Sequence, residues 1–187
     1  TMPLVVFLFV FSDSIINIFL GEKWLPSSEL FKILAIVSFI QPASSTRGLV
    51  LLTTGQSRKY LILGLISSVI VCSSFAIGVY WGARGVAIAY AIETYVFLAP
   101  LLMYSFYKTP VSFVDFIDSV YVPALSSFIM GGVCYFFYDN VNFVNDYYLV
   151  LFGLVIALGA YIFSFFIFPG GNQKLSDFFS YIKKLKK

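Results

Sequence analysis

The chain has 187 residues, of which 60% are hydrophobic, 20% aromatic and only 11% charged, and its formal net charge is +3. Soluble domains contain about 25% charged residues, so this composition excludes an ordinary soluble domain and predicts an all-α integral membrane protein. Histidine is absent and the two cysteines lie far apart, which excludes a clustered Cys/His metal site, and no GxxxxGK[ST] loop is present for ATP hydrolysis.

Six apolar runs are long enough to cross a bilayer, since about 20 helical residues cover a hydrocarbon core of roughly 30 Å. They cover residues 3–20, 29–54, 60–80, 86–104, 116–137 and 147–168. Pro42 in the second run predicts a kink, because proline removes a backbone hydrogen bond, and such a break needs protein or water to satisfy the freed groups. The polar side chains beside it are therefore predicted to face the protein interior: Gln41, Ser44, Ser45 and Thr46.

Basic residues are unevenly divided between the two ends of the predicted bundle. One end carries Arg58, Lys59, Lys108 and five lysines between positions 174 and 187, whereas the other carries Lys23 and Arg84. The positive-inside rule makes the first end cytoplasmic, and six spans then leave both ends of the chain in the cytoplasm. Residues 169–187 alternate lysines with apolar side chains at helical spacing, which predicts a basic amphipathic tail on the membrane surface. A solvated basic terminus is the alternative.

Three ionisable side chains lie well inside these runs: Arg47, Glu93 and Asp13. Counted at 1.5 Å per residue, Arg47 lies about 12 Å and Glu93 roughly 18 Å from the cytoplasmic side, whereas Asp13 lies nearer the outer face. In one interpretation Arg47 and Glu93 neutralise each other between packed helices. In another, Arg47 binds an anionic group and Glu93 or Asp13 takes a proton or Na⁺. A catalytic carboxylate pair for sugar transfer is disfavoured, because no sizeable extramembrane loop is present to hold a substrate.

Three stretches between residues 3 and 108 form a recognisable series. They read FLGEKWLPSSELFKILAI, LVLLTTGQSRKYLILG and WGARGVAIAYAI. In this order they resemble the polysaccharide transporters and Wzx-type oligosaccharide flippases of the multidrug/oligosaccharidyl-lipid/polysaccharide exporter superfamily. The resemblance implies that the chain is the C-terminal part of a longer helical transporter, whose two lobes rock between inward-open and outward-open states.

The resemblance also implies a function without covalent chemistry and without a bound cofactor. The protein would flip undecaprenyl-diphosphate-linked oligosaccharide across the bacterial inner membrane for surface polysaccharide synthesis, coupled to H⁺ or Na⁺. The product would be lipopolysaccharide O antigen, capsule or exopolysaccharide. Arg47 and Gln41 would bind the diphosphate, while Glu93 or Asp13 would couple to the ion. The partners expected are membrane lipids, a polysaccharide polymerase and a chain-length regulator, and no nucleic acid. The alternatives are a multidrug or lipid II transporter of the same superfamily, or a membrane-embedded polysaccharide polymerase or ligase.

Overall fold

A computed structural model describes residues 1–107, 109, 111–141 and 145–167, except for the side chains of Ala43 and Ser44. Of these residues 91% are helical and none lies in a strand. The chain is therefore an all-α membrane protein. Lys108 and the predicted amphipathic tail at residues 169–187 lie outside the described residues.

The described part of the chain contains seven α-helices and two short 3₁₀ turns. The α-helices are α1 (Met2–Val10), α2 (Ser12–Leu20), α3 (Ser27–Thr53), α4 (Ser57–Gly78), α5 (Gly82–Phe106), α6 (Phe113–Asn140) and α7 (Asp146–Ile167). The 3₁₀ turns cover Glu22–Trp24 and Val79–Trp81.

Among the described residues, four helical runs are long and apolar enough to cross a membrane, and the bent pair of α1 and α2 would add a fifth. One of the four is a run of 50 residues from Ser57 to Phe106 that folds back on itself. The Lys59 ammonium at the start of α4 donates to the carbonyl oxygens of Ser105 and Tyr107, at 3.2 and 2.8 Å, at the end of α5. The run is therefore a hairpin of two helices with 22 and 25 residues, and each is long enough to cross the hydrocarbon core.

The first predicted span is not a continuous helix, because α1 and α2 meet at Phe11 with a bend of 78°. The Phe11 ring is completely buried, with its centroid 4.7 Å from that of Phe7 and 5.7 Å from that of Tyr138. It also lies directly against Gly153 of α7, where even a Cβ atom would overlap it. The Phe11 ring is therefore packed between α6 and α7 at the point where the chain turns from α1 into α2. The hydropathy of the sequence does not indicate this turn.

α3 is continuous from Ser27 to Thr53 and includes Pro42. The hydroxyl groups of Ser45 and Thr46 both donate to the carbonyl oxygen of Pro42, at 2.9 and 3.2 Å. Side-chain hydroxyls of this kind provide local hydrogen bonding around a proline in an apolar medium. The kink that Pro42 predicts stays a prediction, since the helix continues on both sides of the proline.

The turn between α4 and α5 brings the two backbones unusually close. A Cβ atom on Gly78 would lie 2.7 Å from the Cα of Val86 and 2.8 Å from the carbonyl oxygen of Gly85. Gly82 has a φ of +68°, which side chains rarely tolerate. The sequence GVYWGARG thus supplies glycine where this hairpin requires it.

The buried core lies mainly where α1 packs on α6 and α7, around Phe7, Phe11, Met130, Cys134, Leu149 and Ala157. A second cluster joins α5 to α6 through Leu102, Phe106 and Phe116. By contrast, α4 leaves many large apolar side chains exposed, among them Leu61, Leu65, Val69 and Ile77. Such a surface is suited to lipid rather than to water.

Candidate functional site

Arg47 is half-buried on α3, and within the described residues no carboxylate forms an ion pair with it. Its electrostatic neighbour is Tyr60 of α4. The Tyr60 ring lies beside Gly48, where a Cβ atom would be 3.0 Å from the ring edge. Arg47 therefore lies next to the point where the Tyr60 ring of α4 meets α3. It forms no ion pair with Glu93 within the described residues, contrary to the interpretation in which the two neutralise each other.

A polar face runs along the middle of α3, and it consists of Ser38, Gln41 and Ser45, at helical spacings of three and four residues. All three side chains are exposed, as is that of Thr46. Contrary to the prediction, Gln41, Ser45 and Thr46 therefore do not pack against the other described helices, and the side chain of Ser44 lies outside the described residues. The residues that this part of α3 buries are Ala35 and Val37 instead, and α3 packs mainly against α5 and α1.

Gln41 and Arg47 do not share one face of α3. At 3.6 residues per turn, a separation of six residues puts them about 120° apart around the helix. Gln41 is exposed, whereas Arg47 is half-buried. One phosphate group contacting both side chains would therefore have to reach around the helix, so Arg47 is the stronger candidate for anion binding.

Glu93 is half-buried near the middle of α5. Its carboxylate accepts a long hydrogen bond of 3.5 Å from the Thr94 hydroxyl, and no described lysine or arginine forms an ion pair with it. Two residues further along, the Tyr95 hydroxyl donates to the Ile36 carbonyl of α3 at 2.8 Å. This hydrogen bond joins α5 to α3 close to the Glu93 carboxylate.

The Asp13 carboxylate, unlike that of Glu93, has a cationic partner. It accepts a hydrogen bond from the Lys32 ammonium of α3 at 2.7 Å and forms an ion pair with it. The sequence reasoning missed Lys32. The signal was available, since Asp13 lies seven residues before the end of α2 and Lys32 lies five residues after the start of α3. Two residues at similar distances from a short connection have similar depths. Asp13 is therefore the weaker candidate for ion coupling.

Two further polar bridges lie at the same end of the bundle as the Asp13–Lys32 pair. The Asn17 amide of α2 donates to the Asp146 carboxylate of α7 at 2.6 Å. Arg84 of α5 pairs with Glu29 of α3 at 2.7 Å, with both side chains more than half exposed. Together the three bridges join α2 to α3, α2 to α7 and α3 to α5 near the helix connections.

A cavity of about 400 Å³ lies between α1, α3, α5 and α6. Its lining is almost entirely apolar and includes Val6, Phe39 and Phe128. Two tyrosines, Tyr95 and Tyr135, also line it and carry its side-chain hydroxyl groups. Neither Arg47 nor Glu93 lines it. This space is suited to an apolar group and not to a hydrated diphosphate.

The arrangement on α3 and α5 offers non-covalent binding chemistry. Arg47 supplies a planar donor for an anion and Glu93 supplies a carboxylate that can take a proton or a cation. In the part of the chain that the structure describes, no three potential metal ligands come together. No family model, curated protein or solved structure matches this chain.

Proposed function

We propose that this chain is part of a membrane transporter that flips undecaprenyl-diphosphate-linked oligosaccharide across the bacterial inner membrane. The observation that supports the proposal most is Arg47, a half-buried arginine with no described carboxylate partner, on a helix long and apolar enough to span the bilayer. An arginine in a membrane span is costly unless it meets water, protein or an anion. Exposing the polar face of α3 to lipid would also be costly, because lipid cannot form hydrogen bonds with its side chains.

Both features are suited to the wall of a hydrated cavity. Transporters bind polar cargo near the bilayer midplane, where irregular or polar surfaces face a water-filled space. A glycan linked through a diphosphate cannot cross hydrocarbon unaided, because its polar groups would lose their hydrogen bonds to water. The guanidinium of Arg47 would bind the diphosphate through paired hydrogen bonds, while the polar face of α3 would contact water or sugar hydroxyls.

Glu93 is the carboxylate best suited to cation coupling in this proposal, because Asp13 is already paired with Lys32. The order of the three sequence stretches supports the choice of a lipid-linked oligosaccharide as cargo. The distribution of basic residues supports an orientation with both ends of the chain in the cytoplasm. Transport of this kind needs no covalent step, and a polymerase and a chain-length regulator would act on the flipped product.

The apolar cavity between α1, α3, α5 and α6 favours a second candidate, an exporter of apolar drugs from the same superfamily. Ligand pockets for small molecules are mostly apolar and have volumes of about 300–1,000 Å³. A drug exporter would not depend on the arginine of α3. The two candidates therefore make opposite predictions for an Arg47 variant.

The test is Arg47→Ala in the full-length protein, in a strain whose surface polysaccharide depends on it. We expect polysaccharide on the cell surface to fall about 10- to 100-fold, because hydrogen bonds to a charged group contribute about 1.5–3 kcal/mol. The amount of protein in the membrane should stay unchanged. Arg47→Lys, which keeps the charge but loses the planar donor, should retain part of the activity.

Lys23→Ala is the matched control, since Lys23 is an exposed basic residue in the 3₁₀ turn after α2. It should leave surface polysaccharide unchanged. Normal polysaccharide in the Arg47→Ala strain, with drug resistance lost in variants of the apolar cavity, would refute the flippase and favour the drug exporter. Equal loss of protein and polysaccharide would assign Arg47 a purely structural role.

A further inference from the structure

A second polar site lies at the start of α4, beyond the short connection that follows α3. It is a cleft of about 380 Å³ lined by Gln56, Arg58, Lys59, Ile62 and Tyr104, and we refer to it as the basic cleft. It contrasts with the apolar cavity in the middle of the bundle, because two of its five lining residues are cationic. A cleft of this volume lies within the range of about 300–1,000 Å³ that is common for ligand sites.

Lys59 is held in a fixed position at the edge of the basic cleft. Its ammonium donates to the carbonyl oxygens of Ser105 and Tyr107, at 3.2 and 2.8 Å. It also lies 5.0 Å from the centre of the Tyr104 ring and 6.0 Å from that of Tyr107, within the range of cation–π attraction. These carbonyl and ring contacts orient the Lys59 ammonium at the edge of the cleft.

Arg58 is the cation that a ligand can reach. Its side chain is exposed, and no carboxylate in the described ranges forms an ion pair with it. Arginine presents several N–H donors in a plane that matches the oxygens of a phosphate group. The neighbouring Tyr104, 54% exposed, adds a hydroxyl and an aromatic surface.

The position of the basic cleft along α4 corresponds to the lipid headgroups. α4 has 22 residues, so its length of about 33 Å is close to the thickness of the hydrocarbon core. Arg58 and Lys59 occupy its first turn, and the rest of the helix exposes apolar side chains such as Leu61 and Leu65. Tyr104 lies in the last turns of α5, where aromatic side chains typically meet the headgroup region.

We propose that the basic cleft binds the phosphate group of an anionic membrane lipid. Arg58 donates to the phosphate oxygens, Lys59 supplies fixed positive charge, the Tyr104 hydroxyl donates a further hydrogen bond, and Ile62 contacts the start of an acyl chain. Arg47 is not among the residues that line the cleft, so this proposal does not rest on cargo binding at Arg47. A zwitterionic headgroup is disfavoured, because its ammonium would be repelled by the two cations.

The test uses the purified full-length protein in detergent, titrated with short-chain phosphatidylglycerol or phosphatidylcholine, with bound lipid counted by native mass spectrometry. We expect phosphatidylglycerol to bind the unmodified protein about tenfold more tightly, and Arg58→Gln to remove about that preference, since charge-assisted hydrogen bonds are the strong ones. Arg58 is the residue to change, because Lys59 also holds α4 to α5.

Lys23→Gln makes the same change of charge at an exposed position outside the cleft and should keep the preference for phosphatidylglycerol. Persistence of the preference in Arg58→Gln, or its equal loss in both variants, would overturn the proposal in favour of general charge attraction. A third arm adds inorganic phosphate at the concentration of the lipid. Full displacement of phosphatidylglycerol by phosphate would also overturn it, because the cleft would then bind free phosphate and not a lipid.

Discussion

Gly78 is the position in α4 where the structure makes the clearest quantitative prediction. A Cβ atom there would lie 2.7, 2.8 and 2.9 Å from the Cα of Val86, the carbonyl oxygen of Gly85 and the nitrogen of Val86. All three are backbone atoms, so no side chain can rotate away to make room. Overpacking of this kind typically costs about 1–3 kcal/mol. In contrast, nothing lies within 4 Å of a Cβ atom on Gly64 of the same helix.

Gly78→Ala should therefore lower the free energy of unfolding, while Gly64→Ala should raise it by up to about 1 kcal/mol, since alanine favours helix more than glycine. The two variants should differ by about 1–4 kcal/mol. The measurement is equilibrium unfolding of the purified protein in mixed micelles, followed by circular dichroism. Stability changes of the same sign and size in both variants would show that α4 and α5 do not approach each other as closely as described.

Two further predictions distinguish a structural role for Asp13 from a coupling role for Glu93. Asp13→Asn and Lys32→Gln should each lower the free energy of unfolding, with a coupling energy of about 1 kcal/mol in a double-mutant cycle, because the partners are 2.7 Å apart and about one-third exposed. Strictly additive effects in unfolding would argue against the pair. Glu93→Gln should leave stability nearly unchanged and remove the dependence of polysaccharide export on pH or Na⁺, because Glu93 has no described cationic partner. Export in cells that still follows the ion gradient would exclude Glu93 as the coupling residue.

The apolar runs in the sequence predict where most of the helices lie. The residues at which the helices begin and end depend on local hydrogen bonds, which hydropathy does not detect. α6 begins at Phe113, three residues before the predicted run, because the Ser112 hydroxyl accepts from the backbone N–H of Asp115 and the Asp115 carboxylate accepts from the N–H of Ser112. This is a capping box, and its Ser-x-x-Asp spacing is present in the sequence. The break at Phe11 is different, because its partners Tyr138 and Gly153 are remote in sequence.

At the candidate site, counting residues from the ends of the spans predicts how deep a side chain lies in the membrane. It does not predict which neighbouring helix the side chain faces. The depths of Arg47 and Glu93 suggested that the two could meet, yet they form no ion pair within the described residues, and the Glu93 carboxylate accepts from Thr94 instead. The helical period alone already separates Gln41 from Arg47 by about 120°. Which face of α3 is covered depends on the packing of α1 and α5, and that information is distributed over the whole chain.

The bend at Phe11 also limits how far the first helix reaches. Nine residues give α1 a length of about 14 Å, roughly half of the hydrocarbon core, so α1 alone cannot cross it. Backbone bonds from Phe11 to Phe7 and from Ile15 to Phe11, at 3.0 and 2.9 Å, continue hydrogen bonding through the bend. The positive end of the α2 dipole then lies inside the bundle, and Asp13 in its first turn compensates it. α1 and α2 are therefore two nine-residue helices joined at the buried Phe11, and the carboxylate of Asp13 stabilises the second one where it begins.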